Sequence, residues 1–193
     1  MTFLELARKR QSTREFLNQP VEREKIERCV EAARLAPSAC NSQPWKFIVI
    51  NEPELRTAVA QRLASPVFRI NAFAVQAPLL VAVVTEPSTL TARLGAMLKD
   101  KPYHLMDLGI AVEHFCLQAV EEGLGTCIMG WFDETAVRRL LAVPWGKRVH
   151  LTVAVGYAAS DVIRPKARKA KGDILAFNRY AAASGSIEAR PIT

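Results

Sequence analysis

The run Pro78-Leu79-Leu80-Val81-Ala82-Val83-Val84 decides the fold of this chain. Six consecutive apolar residues have the length of a β-strand, and an unbroken apolar run is typical of a strand covered on both faces. Pro78 fits at its beginning, because the first residue of a strand need not donate to the ladder. The run therefore predicts a central strand with other layers packed around it.

The segments on either side alternate between helix and strand patterns. Four helices are predicted, at 22–36, 53–63, 103–122 and 133–141. The third should end in a left-handed cap at Gly123, and the fourth should begin with Asp133 as its N-cap. Further strands are predicted at 46–50, 127–129 and 148–157. In the last strand, strict alternation places Val149, Leu151, Val153 and Val155 on one face. This alternation of element types predicts an α/β or α+β domain of three layers, whose strand order the spacing does not reveal.

The composition is that of one globular domain, or one domain with an appendage. The chain has 193 residues, of which 50% are hydrophobic and 23% charged, values that exclude a collagenous, low-complexity or wholly disordered chain. The longest apolar stretch, Ala72–Val84, is interrupted by Gln76 and Pro78 and is shorter than the roughly 18 residues that a membrane span needs. Glu5 lies where a secretory signal would be apolar. We therefore predict a cytoplasmic protein with no membrane partner.

Cysteine and histidine are not spaced for metal or disulfide chemistry. The four cysteines, Cys29, Cys40, Cys116 and Cys127, form no CxxC pair and have no histidine at ligand spacing. Most of them are interpreted as small buried hydrophobic residues. We predict no metal site and assign no catalytic side chain.

Two short basic segments are candidates for a phosphate site in a chain whose net charge of +7 favours anionic partners. The first, Arg10-Gln11-Ser12-Thr13-Arg14, holds two guanidiniums, which bind phosphate oxygens in a bidentate way, and two hydroxyls. Alone, it is equally well explained as a solvated helix end. The second, Arg164-Pro165-Lys166-Ala167-Arg168, offers a grip from a remote part of the chain. Neither contains a Rossmann or P-loop pattern.

The loop Ala36-Pro37-Ser38-Ala39-Cys40-Asn41-Ser42-Gln43-Pro44-Trp45 joins a predicted helix to a predicted strand. Its small residues let a flat ligand approach the backbone, and the amides of Asn41 and Gln43 can read the edge of a heterocycle. Without further context, an ordinary capped loop explains it as well.

Four motifs, in order, resemble the flavin-dependent nitroreductase family. They are Arg10-x-Ser12-x-Arg14; Ala33-x-x-Ala36-Pro37-Ser38-Ala39-x-Asn41-x-Gln43-Pro44-Trp45-x-Phe47; Asp107-x-Gly109-x-Ala111 with Gly123-Leu124-Gly125-Thr126-Cys127-x-x-Gly130; and Gly156-Tyr157 with Lys166-x-Arg168-Lys169. Together they span residues 8–170. One such motif would be weak, but four in the family's order make the resemblance specific.

The resemblance implies an α+β fold, a three-layer α/β/α sandwich around a mixed, mainly antiparallel sheet. It implies a homodimer that holds FMN at the subunit interface, with 1–170 as the flavin-binding domain and 171–193 as an extension packed on the partner subunit. The cofactor-binding residues that it implies are Arg10, Gln11, Ser12, Arg14, Pro37, Ser38, Ala39, Asn41, Gly130, Trp131, Lys166 and Arg168. Of these, 37–41 would come from the partner subunit, and the backbone of Gly130 and Trp131 would lie near the redox-active edge.

The activity that the resemblance implies is hydride transfer from NADH or NADPH, through the flavin, to nitroaromatic, quinone or similar small acceptors. Trp131 departs from the small residue that many relatives carry there, so the shape of the substrate pocket does not follow. The physiological acceptor, the choice between NADH and NADPH, assembly beyond a dimer and any redox role of Cys40 also stay open.

Two other functions are compatible with parts of the sequence. A flavin-binding protein for storage or sensing would share the motifs but show no useful turnover. A nucleic-acid binder would explain the pI near 9.5, but the basic clusters are short and lack the interleaved aromatic residues of a single-strand groove. We therefore expect no nucleic-acid partner.

Overall fold

The computed structural model describes residues 1–65, 70–89, 98 and 100–180. The chain divides into two compact units, Met1–Val162 and Ile163–Thr193. The described α-helices and strands of the first unit are α1 (Phe3–Lys9), α2 (Arg23–Arg34), β1 (Trp45–Ile50), α3 (Pro53–Leu63), β2 (Leu79–Thr85), α4 (Tyr103–Glu121), β3 (Gly125–Met129), α5 (Glu134–Leu140) and β4 (Arg148–Gly156), and two short 3-10 helices lie at Ala39–Asn41 and Ala72–Gln76. In the second unit the described part holds the short helix α6 (Lys171–Ile174). Positions 181–193, most of the predicted extension, lie outside the described residues.

The four strands form one sheet in the order β1-β2-β4-β3. Each neighbouring pair is antiparallel, and a single bridge from Ser12 to Thr126 is the parallel pairing found in the described chain. The predicted central strand is confirmed, because β2 lies between β1 and β4. The predicted mainly antiparallel sheet is confirmed as well.

Helices cover both faces of this sheet. Leu79, Val81 and Val83 of β2 pack in a core with residues of α2 and α4, whereas Leu80, Ala82 and Val84 pack in a second core with residues of α3 and α5. Successive side chains of a strand point to opposite faces, so an unbroken apolar run is needed to fill both cores. The predicted three-layer sandwich is confirmed.

Strand β4 contains a bulge at His150. Val83 pairs with Leu151 but Val84 pairs with Val149, so the register skips His150. The prediction that Val149 shares a face with Leu151 was wrong, because one extra residue reverses the alternation beyond it. Val149 packs in the core of α3 and α5, and Leu151 packs against the other core.

The ends of α4 and α5 follow their sequence signals. Gly123 has φ +77°, and the amides of Gly123 and Leu124 donate to the carbonyls of Val120 and Ala119 at 3.1 and 2.7 Å, the pattern of a Schellman motif. The Asp133 side chain accepts from the amide of Ala136 at 2.9 Å. Both predicted caps are confirmed.

Helix α1 was not predicted, although its signal is present. Thr2 accepts from the amide of Glu5 at 3.3 Å, and Glu5 accepts from the amide of Thr2 at 2.7 Å. This reciprocal capping box is visible in the sequence as Thr2-x-x-Glu5. Across the described ranges, every helix is too short or too polar to cross a membrane.

Candidate functional site

Residues 10–17, the edge segment, run along the end of the sheet where β3 begins and β4 ends. The amide of Thr13 donates to the carbonyl of Thr126 at 2.9 Å, and the amide of Leu17 donates to the carbonyl of Tyr157 at 2.9 Å. The amide of Ala159 donates back to the carbonyl of Glu15 at 3.0 Å. Backbone bonds to the start of β3 and to the chain after β4 therefore fix this segment, and they fix Ser12 and Arg14 with it.

Two glycines allow this close approach. A Cβ on Gly125 would lie 2.5 Å from Oγ1 of Thr13, and a Cβ on Gly156 would lie 2.5 Å from Cδ of Pro78 and 3.0 Å from Phe16. Real Cβ contacts are not that short, so both positions require glycine for space. The absence of a side chain at Gly125 and Gly156 thus leaves room for the neighbouring chain at this end of the sheet.

The charged side chains of the segment have different environments. Nε of Arg10 lies 3.4 Å from Oε1 of Glu113 on α4, and the Arg10 side chain is mostly buried. The Arg14 guanidinium lies 6.0 Å from the centre of the Phe73 ring, within the range of a cation–π contact. The Gln11 amide donates to the carbonyl of Val162 at 2.9 Å. The segment thus carries one ion-paired, mostly buried guanidinium and one exposed guanidinium, each two residues from Ser12 in the sequence. Guanidinium and hydroxyl groups of this kind can bind an anion.

The loop between α2 and β1 has an unusual backbone. Cys40, Asn41 and Gln43 have φ values of 51°, 51° and 44°, in the left-handed region that costs non-glycine residues free energy. Internal hydrogen bonds stabilise the turn: the Ser38 hydroxyl accepts from the amide of Gln43 at 3.0 Å, and the Ser42 hydroxyl donates to the carbonyl of Ala39 at 2.5 Å. The loop is thus a preformed turn with the polar groups of Asn41 and Gln43 exposed.

Asp107 of α4 reaches this loop. Its Oδ1 accepts from the amide of Ala39 at 3.1 Å. The residue is 4% exposed, and among the described residues Oδ2 has no hydrogen-bond partner. The sequence places Asp107 in one of the four motifs but does not reveal its partner, because a contact with a residue 68 positions away leaves no local signal.

The turn after β3 carries Gly130 and Trp131. Asn71, itself left-handed at φ 61°, donates from Nδ2 to the carbonyl of Trp131 at 2.8 Å and to that of Leu63 at 3.3 Å. The Trp131 residue is 63% exposed. Asn71 was missed in the sequence, although asparagine is the non-glycine residue best suited to this conformation.

The cysteines differ in burial. Burial raises the pKa of Cys29 and of Cys116 to about 12, and Cys127 is also buried. These three confirm the prediction of small hydrophobic cysteines. Cys40 is exposed instead, on the left-handed turn.

Tyr157, next to the close-packed Gly156, ties the end of β4 to α2. Its hydroxyl donates to Oε2 of Glu22 at 2.6 Å and accepts from Nζ of Lys25 at 2.8 Å. The hydrogen bond from Tyr157 holds the pKa of Glu22 below its usual value, and the same hydroxyl raises the pKa of Lys25. This network fixes Tyr157, whose carbonyl accepts from the amide of Leu17 in the edge segment.

The remaining predicted residues, Lys166 and Arg168, belong to the second unit. The Arg168 guanidinium donates to the carbonyl of Ala167 at 2.7 Å, and Lys166 is half-buried whereas Arg168 is exposed. That they bind a phosphate together with Arg10 stays a prediction.

The family comparison matches most of the chain. Residues 7–157 match the model described as Nitroreductase family. A protein of Streptococcus pyogenes serotype M6, named as an NAD(P)H nitroreductase, is 29% identical over 181 residues, which cover 82% of this chain and 90% of that protein.

Solved structures show the same architecture. A BluB-like flavoprotein from Clostridium difficile 630 superposes with a TM-score of 0.78 at 26% identity, covering 93% of this chain and 100% of that one. An FMN-dependent nitroreductase from Clostridium difficile R20291 superposes with a TM-score of 0.74 at 24% identity, covering 92% of this chain and 100% of that one. The motifs that bear the resemblance are those that build the edge segment, the left-handed loop and the turn after β3.

Proposed function

The chain belongs to the nitroreductase family, and from this membership we propose that it is an FMN-dependent enzyme that moves hydride from NADH or NADPH to nitroaromatic, quinone or similar small acceptors. The observation that carries the proposal is the edge segment, a cationic stretch that Gly125 and Gly156 allow to lie against the sheet. FMN, when bound, supplies the hydride-accepting and hydride-donating chemistry. The chain therefore needs only to bind, orient and shield it.

The donor set fits a ligand with one terminal phosphate. Arg10, Ser12 and Arg14 offer two guanidiniums and a hydroxyl, and Gln11 adds an amide; Lys166 and Arg168 of the second unit would supply further positive charge. Charged forks and hydroxyls are the groups that bind phosphate oxygens most strongly.

The opposite end of β3 suits the redox-active part of the cofactor. Thr126, which pairs with Ser12, and Gly130 are four residues apart, about 13 Å along an extended strand. The bond from Asn71 fixes the carbonyl of Trp131, so the backbone of this turn is held in place independently of its side chains. Phosphate-binding and ring-binding groups on the two ends of one rigid strand would hold an elongated ligand in one orientation.

A homodimer would complete the site with Pro37, Ser38, Ala39 and Asn41 of the partner subunit. Support comes from α4, which buries Leu108 and Phe115 in the core but exposes Leu105, Met106 and Ile110 in its first turns. Large apolar side chains that are exposed together, on a helix that also buries an apolar face in the core, are typical of an interaction surface. We propose that a second copy of the chain covers it.

The extension beyond residue 170 would pack on the partner subunit. Its described part exposes two aromatic side chains, Phe177 at 80% and Tyr180 at 94%. Large aromatic residues contribute most when they are buried at an interface. We propose that the partner buries them.

The visible spectrum of the purified protein, before and after NADH or NADPH, tests this function. We expect a flavin spectrum that bleaches with the donor and returns with menadione or nitrofurazone, and a heat-released cofactor that chromatographs as FMN. Continuous donor oxidation that needs the acceptor separates an enzyme from a storage or sensing protein, which would bleach without turnover. Protein that binds no FMN, or binds FAD instead, contradicts the proposal. A stable flavin-loaded monomer in light scattering contradicts the dimer alone.

A further inference from the structure

We propose that Asp107 is a positioning residue that fixes the Ser38–Gln43 loop, and through it the loop's contact with the cofactor. The effect on the cofactor rests on the proposed function, whereas the effect on the loop does not. Asp107 belongs to a different element, α4, and contacts the loop across 68 residues of sequence.

The loop needs an external anchor because its backbone is strained. Cys40, Asn41 and Gln43 are non-glycine residues in the left-handed region, which is unfavourable for most L residues and least so for asparagine. Such conformations persist where the surrounding structure determines them more than once. An isolated loop of this sequence would therefore relax to other conformations.

Asp107 supplies that anchor. The bonds from Asn41 to Ser38, from Ser42 to Ala39 and from Gln43 to Ser38 are internal to the loop. Among the described residues, the bond from the amide of Ala39 to Oδ1 of Asp107 is the hydrogen bond that ties residues 38–43 to a remote segment. It holds the residue that immediately precedes the left-handed pair.

The burial of Asp107 shields its side of this bond from solvent. The side chain lies in the layer between α4 and the loop, with the residue 4% exposed, so water does not compete for Oδ1. A hydrogen bond to a charged acceptor is about twice as strong as one between neutral groups. A buried carboxylate whose Oδ2 finds no partner among the described residues is costly, and such a group calls for a reason to be there. Holding the loop is that reason.

Two substitutions separate the acceptor from the charge. Asp107→Ala removes the acceptor, and Asp107→Asn keeps a carbonyl oxygen for the amide of Ala39 while it removes the charge. Glu121→Gln, at the exposed end of the same helix, is the matched control for loss of a carboxylate from α4.

The first measurement is hydrogen exchange of the full-length protein without cofactor. In Asp107→Ala we expect the amides of 39–43 to exchange at least about tenfold faster, the loss expected of one charge-assisted hydrogen bond, with the sheet unchanged. Asp107→Asn should restore about half of the protection on a logarithmic scale, because a neutral carbonyl oxygen bonds about half as strongly as a charged one, and Glu121→Gln should match the wild type. Equal exchange in Asp107→Ala and wild type, or no recovery in Asp107→Asn, overturns the anchor.

The second measurement is FMN affinity, read from the recovery of free-flavin fluorescence on dilution. We expect Asp107→Ala to weaken binding about 10- to 100-fold, and Asp107→Asn, which keeps the acceptor without its charge, to weaken it about 3- to 10-fold. Faster loop exchange with unchanged affinity would leave Asp107 a purely structural residue and overturn its positioning role. Wild-type protein that binds no FMN would overturn the proposed function but would leave the exchange result standing.

Discussion

Replacing Gly125 by alanine should push the edge segment off the sheet. The added Cβ would meet three side-chain atoms of Thr13 at 2.5, 2.8 and 2.8 Å, and Gly125 does not have a left-handed backbone. The substitution is therefore a steric change without backbone strain. Since Thr13 is held by a backbone bond to Thr126, relief of the clash has to lengthen that bond or move β3.

Overpacking of this kind costs about 1–3 kcal/mol. For a chain of this length each kcal/mol lowers Tm by about 2–4 °C, so Gly125→Ala should lower Tm by about 2–12 °C. FMN affinity should fall as well, because Ser12 and Arg14 flank the displaced residue. Gly172→Ala, where a Cβ meets no atom within 4 Å, is the matched glycine control and should not lower Tm.

A double-mutant cycle with Thr13→Gly tests the cause. All three close atoms belong to the Thr13 side chain, so the double variant should lose less stability than the sum of the two single variants, by about 1–2 kcal/mol. Urea unfolding of the four proteins measures this coupling. Additive effects, or a Gly125→Ala protein with unchanged Tm and FMN affinity, would refute the account of the edge segment.

Three further predictions follow from the site and its surroundings. Arg10→Ala should weaken FMN by about 10- to 150-fold, the value of one charge-assisted hydrogen bond, while Arg139→Ala on the exposed side of α5 should not; fluorescence titration compares them. Trp131→Gly should leave FMN bound but change the ratio of kcat/KM between a flat quinone and a bulky nitroaromatic, and an unchanged ratio would remove Trp131 from the pocket. The Arg28 guanidinium holds the pKa of Glu122 at about 2, below its usual 4.5, so the charged form stabilises the folded state. Glu122→Gln should therefore lower the free energy of unfolding by its full amount above about pH 5, and its difference from wild type should disappear as pH falls from 4.5 towards 2. Urea unfolding of both proteins across this range measures the difference.

The local elements of this fold could be predicted from the sequence because each carries its own signal. The apolar run of β2, the Gly123 cap and the Asp133 cap depend on neighbouring residues, and all three are confirmed. Helix α1 has an equally local signal in Thr2 and Glu5, so the sequence contains enough to predict its start.

Contacts between distant segments could not be predicted in this way. The bulge at His150 depends on how β4 pairs with β2, and strict alternation within β4 gave no sign of it. The bond from the amide of Ala39 to Asp107 and that from Asn71 to the carbonyl of Trp131 join residues 68 and 60 positions apart. The motifs identified which segments build the site, but only the three-dimensional contacts reveal what holds them.

One helix-strand unit links the two halves of the proposed site. Asp107 near the start of α4 anchors the left-handed loop, and Gly125 at the start of β3 accommodates the edge segment. The Schellman cap at Gly123 joins these elements with only a short turn, and the buried face of α4 fixes it against the sheet. Met106, adjacent to Asp107, belongs to the exposed apolar face. A partner that packs on this face would therefore contact the same turn of α4 that holds the loop. Such a contact would make cofactor binding and subunit association depend on one another.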